Sequence, residues 1–478
     1  MINKERRAGV LLAVSSLPGS FGVGDFGKDA FEFIDMLDAS RAKYWQILPL
    51  NPVGYGNSPY QTFSSFAGDE IYISIEKLYA ELNLSLTIDV LETESVDYAS
   101  SREQKNKYLR EAFKFFTKDD EYEAFIKEAF WLEEYAKFMA LRSVNDNRSW
   151  LEWDVFEYSD TEIEYQYFLQ YHFYKQWMDI KDYANNLGIK IMGDIPIYLG
   201  HDSHEVYFNR ELFHLDRDGR PTLVAGVPPD YFSEDGQLWG NPIYDWEVHK
   251  QSNYDFWVKR LEWNQRLFDT IRIDHFRAFD TYWAIPGDAK TAKTGEWIIG
   301  PRHDFFDVIY DRIKDLDLVV EDLGDLRDEV LELRDDYGLM GMQIIQFALK
   351  PEEIERDIHM PENILAYTGT HDNQPIGGWV EDHDLDYQQR VRSNIENRGI
   401  HEENMVDLVC HYAMSLNANL VILPAQDLMR LGNASQMNRP GTVGSPNWEW
   451  KLKHLDDLSD GISRFKRWVI KTNRTNVS

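Results

Sequence analysis

Eight short apolar runs alternate with helix-period stretches along this chain, and that alternation constrains its fold more than any other feature. The runs cover residues 9–15, 44–50, 190–197, 270–276, 316–323, 341–347, 364–370 and 420–428. Between them, apolar residues recur at helical spacing over 26–39, 165–187, 304–314, 326–337 and 401–416. Runs this short and rich in Val, Ile and Leu read as strands buried on both faces, joined by helical crossovers into a parallel sheet. Such crossovers are right-handed, so eight units predict a (β/α)8 barrel, with an open doubly wound sheet as the alternative. Gly22-Val23-Gly24, after the first run, is too weak a signal for a dinucleotide site.

Two stretches exceed an ordinary βα connection. One, residues 51–187, opens with Gly54-Tyr55-Gly56-Asn57-Ser58-Pro59-Tyr60 and continues into charged, aromatic-rich helices, including the helix before the third strand. The other, residues 200–264, is loop-rich and holds Pro228-Pro229-Asp230-Tyr231-Phe232 and Gln237-Leu238-Trp239-Gly240-Asn241-Pro242. In a barrel, loops after the second and third strands lie on the catalytic face, so both insertions should line a cleft within one catalytic domain spanning 1–478.

Composition narrows the function. A net charge of −32 argues against a nucleic-acid partner, which needs a basic footprint. The one cysteine, Cys410, sits in a helix-period stretch and reads as a buried structural thiol in a reducing cytosol. Residues 4–14 pair charge with a short apolar segment, but without an Ala-x-Ala-like site they read better as a first strand than as a signal peptide. No apolar segment approaches the roughly twenty residues of a membrane span. The expectation is a soluble, cytoplasmic protein without a membrane partner.

Three of the runs hold an acid near their end or are followed by one: Arg272-Ile273-Asp274-His275-Phe276-Arg277, Glu321-Asp322-Leu323-Gly324 and Gly369-Thr370-His371-Asp372-Asn373. Any one of these acids alone reads as a cap or an ion-pair member. Delivered together to the rim where parallel strands end, they suit cleavage of a glycosidic bond. Neighbouring strands lie about 4.8 Å apart, which can bring Asp274 and Glu321 to the roughly 5–5.5 Å of a retaining pair. Arg272 shares a strand face with Asp274 by the period-two rule and would keep it ionised. Aromatic residues make up 14% of the chain. Tyr60, Tyr231, Phe232 and Trp239 fall in loops, where they would stack on sugar or pack the loop; those at helical spacing within 119–142 and 165–177 read as core.

These residues carry a family resemblance. The chain resembles the 4-alpha-glucanotransferases (amylomaltases, or disproportionating enzymes; glycoside hydrolase family 77) of the alpha-amylase clan over nearly its whole length. The likeness lies in Arg7-Ala8-Gly9-Val10, Ser15-Ser16-Leu17-Pro18-Gly19, Leu48-Pro49-Leu50-Asn51-Pro52, Ser58-Pro59-Tyr60 and Gly193-Asp194-Ile195-Pro196-Ile197. It continues through the three acid-ended stretches to Asn438-Arg439-Pro440-Gly441-Thr442 and Asn447-Trp448-Glu449-Trp450. The resemblance implies Asp274 as nucleophile, Glu321 as acid/base and Asp372 as the residue gripping the reacting sugar. It places Arg272, His371, Asp194 and Tyr60 around the same sugar, with Ser58, Gln237, Trp239, Asn241 and Asn438 as more peripheral contacts. It further implies an α-1,4-glucan donor and acceptor, glucose as an acceptor, no metal or organic cofactor, and no C-terminal β-sandwich. The three acids alone would equally serve an α-1,4-glucan hydrolase. A Mg²⁺-dependent barrel lyase or isomerase and a catalytically dead glycan-binding protein are the readings from other classes.

Overall fold

The computed structural model describes residues 6–229, 233–324, 326–355 and 360–475. Twelve strands follow in chain order: β1 (Arg7–Leu11), β2 (Tyr44–Gln46), β3 (Lys190–Ile195), β4 (Leu223–Val227), β5 (Gln237–Pro242), β6 (Thr270–Ile273), β7 (Thr281–Pro286), β8 (Glu296–Ile299), β9 (Leu318–Val320), β10 (Gly341–Ile344), β11 (Ile364–Tyr367) and β12 (Leu420–Pro424).

Eight of them form one parallel sheet, ordered β10-β11-β12-β1-β2-β3-β6-β9. A parallel bridge between Val319 and Met340 and a 2.9 Å bond from Val320 N–H to the Met340 carbonyl join β9 to β10 and close the ring. All eight apolar runs supply a barrel strand, and the open-sheet alternative falls. Every residue of β6, β9, β11 and β12 is buried, as a sheet covered on both faces requires. Gly9 is one place where the close approach dictates the residue, because a Cβ there would lie 2.6 Å from the Tyr44 Cβ and carbonyl oxygen.

The run boundaries shift where capping and tertiary pairing override periodicity. The first strand ends at Leu11 and gives way to a short 3-10 turn, Val14–Ser16. The run at 420–428 is a strand only to Pro424, after which Ala425–Leu428 is helical. The helix expected from 165 begins five residues earlier, as Asp160–Asn186. Ser159 caps it by accepting the Glu162 N–H, and the S-x-x-E spacing that signals this was present in the sequence. The glycine pattern after the first run is fuller than Gly22-Val23-Gly24, because Gly27 completes a G-x-G-x-x-G with Gly22 and Gly24. Asp25 accepts the Gly27 N–H at 2.9 Å, just ahead of the helix Lys28–Ala39, so a carboxylate of the chain occupies the helix start.

A second sheet was not among the expectations. It is antiparallel, ordered β5-β4-β7-β8, and joins the stretch after β3 to the stretch after β6. Residues 51–187 hold the helices Ile75–Glu81, Tyr98–Phe113, Asp120–Glu128, Leu132–Val144 and Asp160–Asn186. Their rings Tyr122, Phe125, Trp131, Tyr135 and Phe138 are buried, as expected of core rather than ligand-binding aromatics. After β12 no further strand occurs among the described residues, and the last described element is the helix Ser459–Lys471. Among the described residues no helix is long and apolar enough to cross a membrane. Cys410 is buried, and its thiol is pushed up by burial and by the charge of Asp427.

Candidate active site

Strand register builds the centre of the site. Asp194 on β3 pairs directly with Arg272 on β6, so both side chains leave the ladder on the same face. Asp274 follows two residues after Arg272, immediately beyond β6, and Glu321 follows β9 directly. The Arg272 guanidinium, 2% exposed, therefore meets three carboxylates. Its Nη1 lies 2.7 Å from both Asp194 oxygens and 3.2 Å from Asp274 Oδ1, and its Nη2 lies 3.0 Å from Glu321 Oε2. Arg272 does neighbour Asp274 as the period-two rule predicted, but its shorter contacts are to Asp194. A guanidinium at that point fills the space among the acids that a bound cation would take. Among the described residues no group of three or more His, Cys, Asp or Glu is arranged to hold a metal ion.

The backbone after β6 contributes a donor. His275 adopts a left-handed conformation (φ 51°), and its N–H reaches Glu321 Oε2 at 2.9 Å. Burial pushes its imidazole down to about 4, so it is neutral near pH 7. The carboxyls of Asp274 and Glu321 face one Arg272 guanidinium and act on each other's proton affinity. Removal from water and the charge of Glu321 push Asp274 well above the usual carboxylate range. Arg272, with the hydrogen bonds from Asp274 and the His275 N–H, overcomes the burial of Glu321 and holds it at about 2. Burial and the Glu321 charge outweigh the lowering by Arg272 that was expected to keep Asp274 ionised, and the balance favours the proton on Asp274 over Glu321.

The opposite wall is built from loops. Tyr60, in the loop after β2, donates its hydroxyl to Asp194 Oδ2 at 2.7 Å and stacks on His371 with centroids 5.2 Å apart. Loss of water and the Asp194 charge push its phenol up. Ser58 accepts the Tyr60 N–H at 3.3 Å, so its hydroxyl shapes this turn. Asp372 lies beyond β11 with its side chain 39% exposed, and His371 Nε2 is 3.4 Å from its Oδ2. Asn438 donates to Asp372 Oδ1 at 2.6 Å, which commits its amide to holding that acid.

Gln237 and Trp239 lie on one side of β5, and Asn241 follows the left-handed Gly240 (φ 80°), where the pairing with β4 slips in register. Trp239 meets His275 edge-on at 4.9 Å, and Asn241 accepts from Gln61 at 3.0 Å, which ties this strand to the site. The Trp239 indole donates to Gln237 at 3.1 Å. Tyr231 and Phe232 lie outside the described residues. Three further neighbours of the site were not among the expected residues. Trp448 packs 5.8 Å from both Tyr60 and His371, Gln436 donates to the Asp372 carbonyl at 3.3 Å, and His275 supplies the N–H to Glu321. Trp448 and His275 lie inside the motifs that carry the family resemblance; Gln436 gives no local signal. A small cavity on the β1–β12 side reaches His371 but not the Asp274–Glu321 pair.

Comparison with known proteins extends over nearly the whole chain. The family model described as 4-alpha-glucanotransferase matches residues 12–457. A 4-alpha-glucanotransferase from Clostridium butyricum is 41% identical, over 95% of this chain and 98% of its own length. One from Streptococcus pneumoniae serotype 4 is 39% identical, over 96% of this chain and 95% of its own. A solved amylomaltase from Streptococcus agalactiae in complex with acarbose superposes with a TM-score of 0.92 at 37% identity, covering 99% of this chain and 100% of that one. With its closed barrel and acids at the strand ends, the chain belongs to the 4-alpha-glucanotransferase family.

Proposed function

We propose that this transferase moves a segment of an α-1,4-glucan to the 4-hydroxyl of a second glucan, or of glucose, by a retaining double displacement. The observation that carries the reading is the buried Arg272, which tethers Asp194, Asp274 and Glu321 at the strand ends.

Asp274 attacks the anomeric carbon while Glu321 gives its proton to the leaving glycosidic oxygen, forming a covalent glycosyl–enzyme. Glu321, now a base, takes the proton of the acceptor's 4-hydroxyl, whose oxygen displaces Asp274 with net retention. These roles need the proton on Glu321 and the charge on Asp274, the reverse of the distribution that Arg272 and the His275 N–H favour. Transfer of one proton from Asp274 to Glu321 brings the pair into the reactive form, as a glycosidic oxygen takes its place beside Glu321. Asp372 grips the hydroxyls of the reacting sugar. Arg272, His371, Asp194 and Tyr60 frame it, and Ser58, Gln237, Trp239, Asn241 and Asn438 act further out. The insertions 51–187 and 200–264 wall the cleft. No step calls for a metal or organic cofactor, and a cytoplasmic setting suits the lone buried thiol.

Incubation of the pure protein with maltotriose tests transfer against hydrolysis. Transfer yields glucose together with a ladder of longer maltooligosaccharides. Maltose and glucose alone would overturn it in favour of a hydrolase.

A further inference from the structure

The loop that carries His371 and Asp372 leaves β11 and ends at the short helix Ile376–Asp382. Both of its ends meet one buried carboxylate. Thr368 Oγ1 donates to Asp427 Oδ2 at 2.6 Å, and the Ile376 N–H donates to Asp427 Oδ1 at 2.7 Å. Asp427 is 1% exposed and stands in the helical turn after β12. Pro375, at the start of the Ile376–Asp382 helix, offers no side-chain acceptor, so Asp427 satisfies the first unpaired N–H of that helix. Within the loop, Asn373 Oδ1 accepts from the Thr370 N–H at 2.9 Å and from its hydroxyl at 3.0 Å. A ring results, tied at its base by Asp427 and across its middle by Asn373.

Asp427 is costly. Among the described residues no cation pairs with it, and a buried carboxylate facing two neutral donors keeps much of its desolvation penalty. Burial accordingly pushes it up to about 6, against the pull of both hydrogen bonds. An acid in this place acts on what its two bonds hold, the base of the loop under Asp372.

We propose that Asp427 is a positioning residue, which closes the 368–376 loop into a ring and so fixes His371 and Asp372 against the reacting sugar. The proposal rests on the reading of Asp372 as the residue that grips that sugar. A grip that tightens in the transition state should be lost from kcat rather than from KM when its support loosens.

Thr368→Val removes the hydroxyl donor and keeps the branched shape; Thr368→Ser restores the donor. Thr368→Val should lower kcat on maltotriose about tenfold with KM near wild type, and weaken acarbose binding in parallel. Thr368→Ser should keep at least half of the wild-type kcat. Asp427→Asn, which keeps one acceptor, should fall between them and carries the same test should Thr368→Val fold poorly. Wild-type kcat in Thr368→Val or Asp427→Asn overturns the proposal, as does a loss that merely follows the folded fraction in a thermal melt. Asp372→Asn separates the two layers. A fully active Asp372→Asn sinks the reading of Asp372 itself, whereas an inactive one beside a fully active Thr368→Val sinks only the positioning role.

Discussion

The two walls of the site are built in different ways. On one, Asp194, Arg272, Asp274 and Glu321 stand at or just beyond adjacent strands, where parallel register fixes them and one guanidinium binds the three acids. On the other, Tyr60, His371 and Asp372 ride on loops, and side chains distant in sequence hold them. Groups on strands are placed to within what the ladder allows, whereas groups on loops are only as well placed as their supports. The first wall suits bond-making chemistry, and the second suits gripping a sugar that must enter and leave.

Replacing groups on each wall should expose this difference. The largest loss is expected at the strand ends: Asp274→Asn should lower kcat by about 10⁴-fold or more, read as maltotriose turnover. The same change should stabilise the fold. Asp274 is pushed above its ordinary value in the folded state, so it withdraws stability as pH rises through the unfolded value toward the folded one, and above that its full cost is felt. Thermal melts at pH 7 should show Asp274→Asn more stable by about 0.5–2 kcal/mol; an unchanged melting point would mean that the acid is not strained where it stands.

Arg272→Met should cost about 3–5 kcal/mol, because it leaves three crowded carboxylates without their cation. Denaturant titration reads that loss. On the loop wall, Asn438→Ala should leave stability nearly unchanged and lower kcat roughly 10- to 100-fold, as Asp372 loses its lateral support. Loss of fold in Asn438→Ala, or full activity, would break the distinction between the walls. The smallest effect is expected at Trp239→Ala, about fivefold in KM for about 1 kcal/mol of ring contact, visible in initial rates against maltooligosaccharide concentration.

Glu321 and Asp322 show how far local reading goes. The sequence offers two adjacent acids, and strand alternation sends them to opposite sides of β9. Asp322 turns outward, accepts the Met342 N–H at 2.7 Å and pairs with Arg334 at 2.6 Å, and so helps to join β9 to β10. A Cβ at Gly341 would lie 2.4 Å from it, which explains the glycine at that approach. Glu321 faces Arg272 and the His275 N–H, and Asp322 serves the closure of the barrel. Periodicity predicts that they part, but only the neighbouring strand reveals what the second one holds.

The eight strands, the acids that end them and the pairing of Arg272 with Asp274 were determined by the sequence itself, because burial on both faces and period-two alternation are local properties of the chain. Tertiary structure alone decided the rest. It brought Asp194 under Arg272, set Tyr60 against His371, turned Asn438 onto Asp372 and folded an unforeseen second sheet that carries Gln237, Trp239 and Asn241 to the cleft. These contacts join residues tens to hundreds of positions apart. No local propensity encodes them; they exist only once the barrel has closed and its loops share one rim.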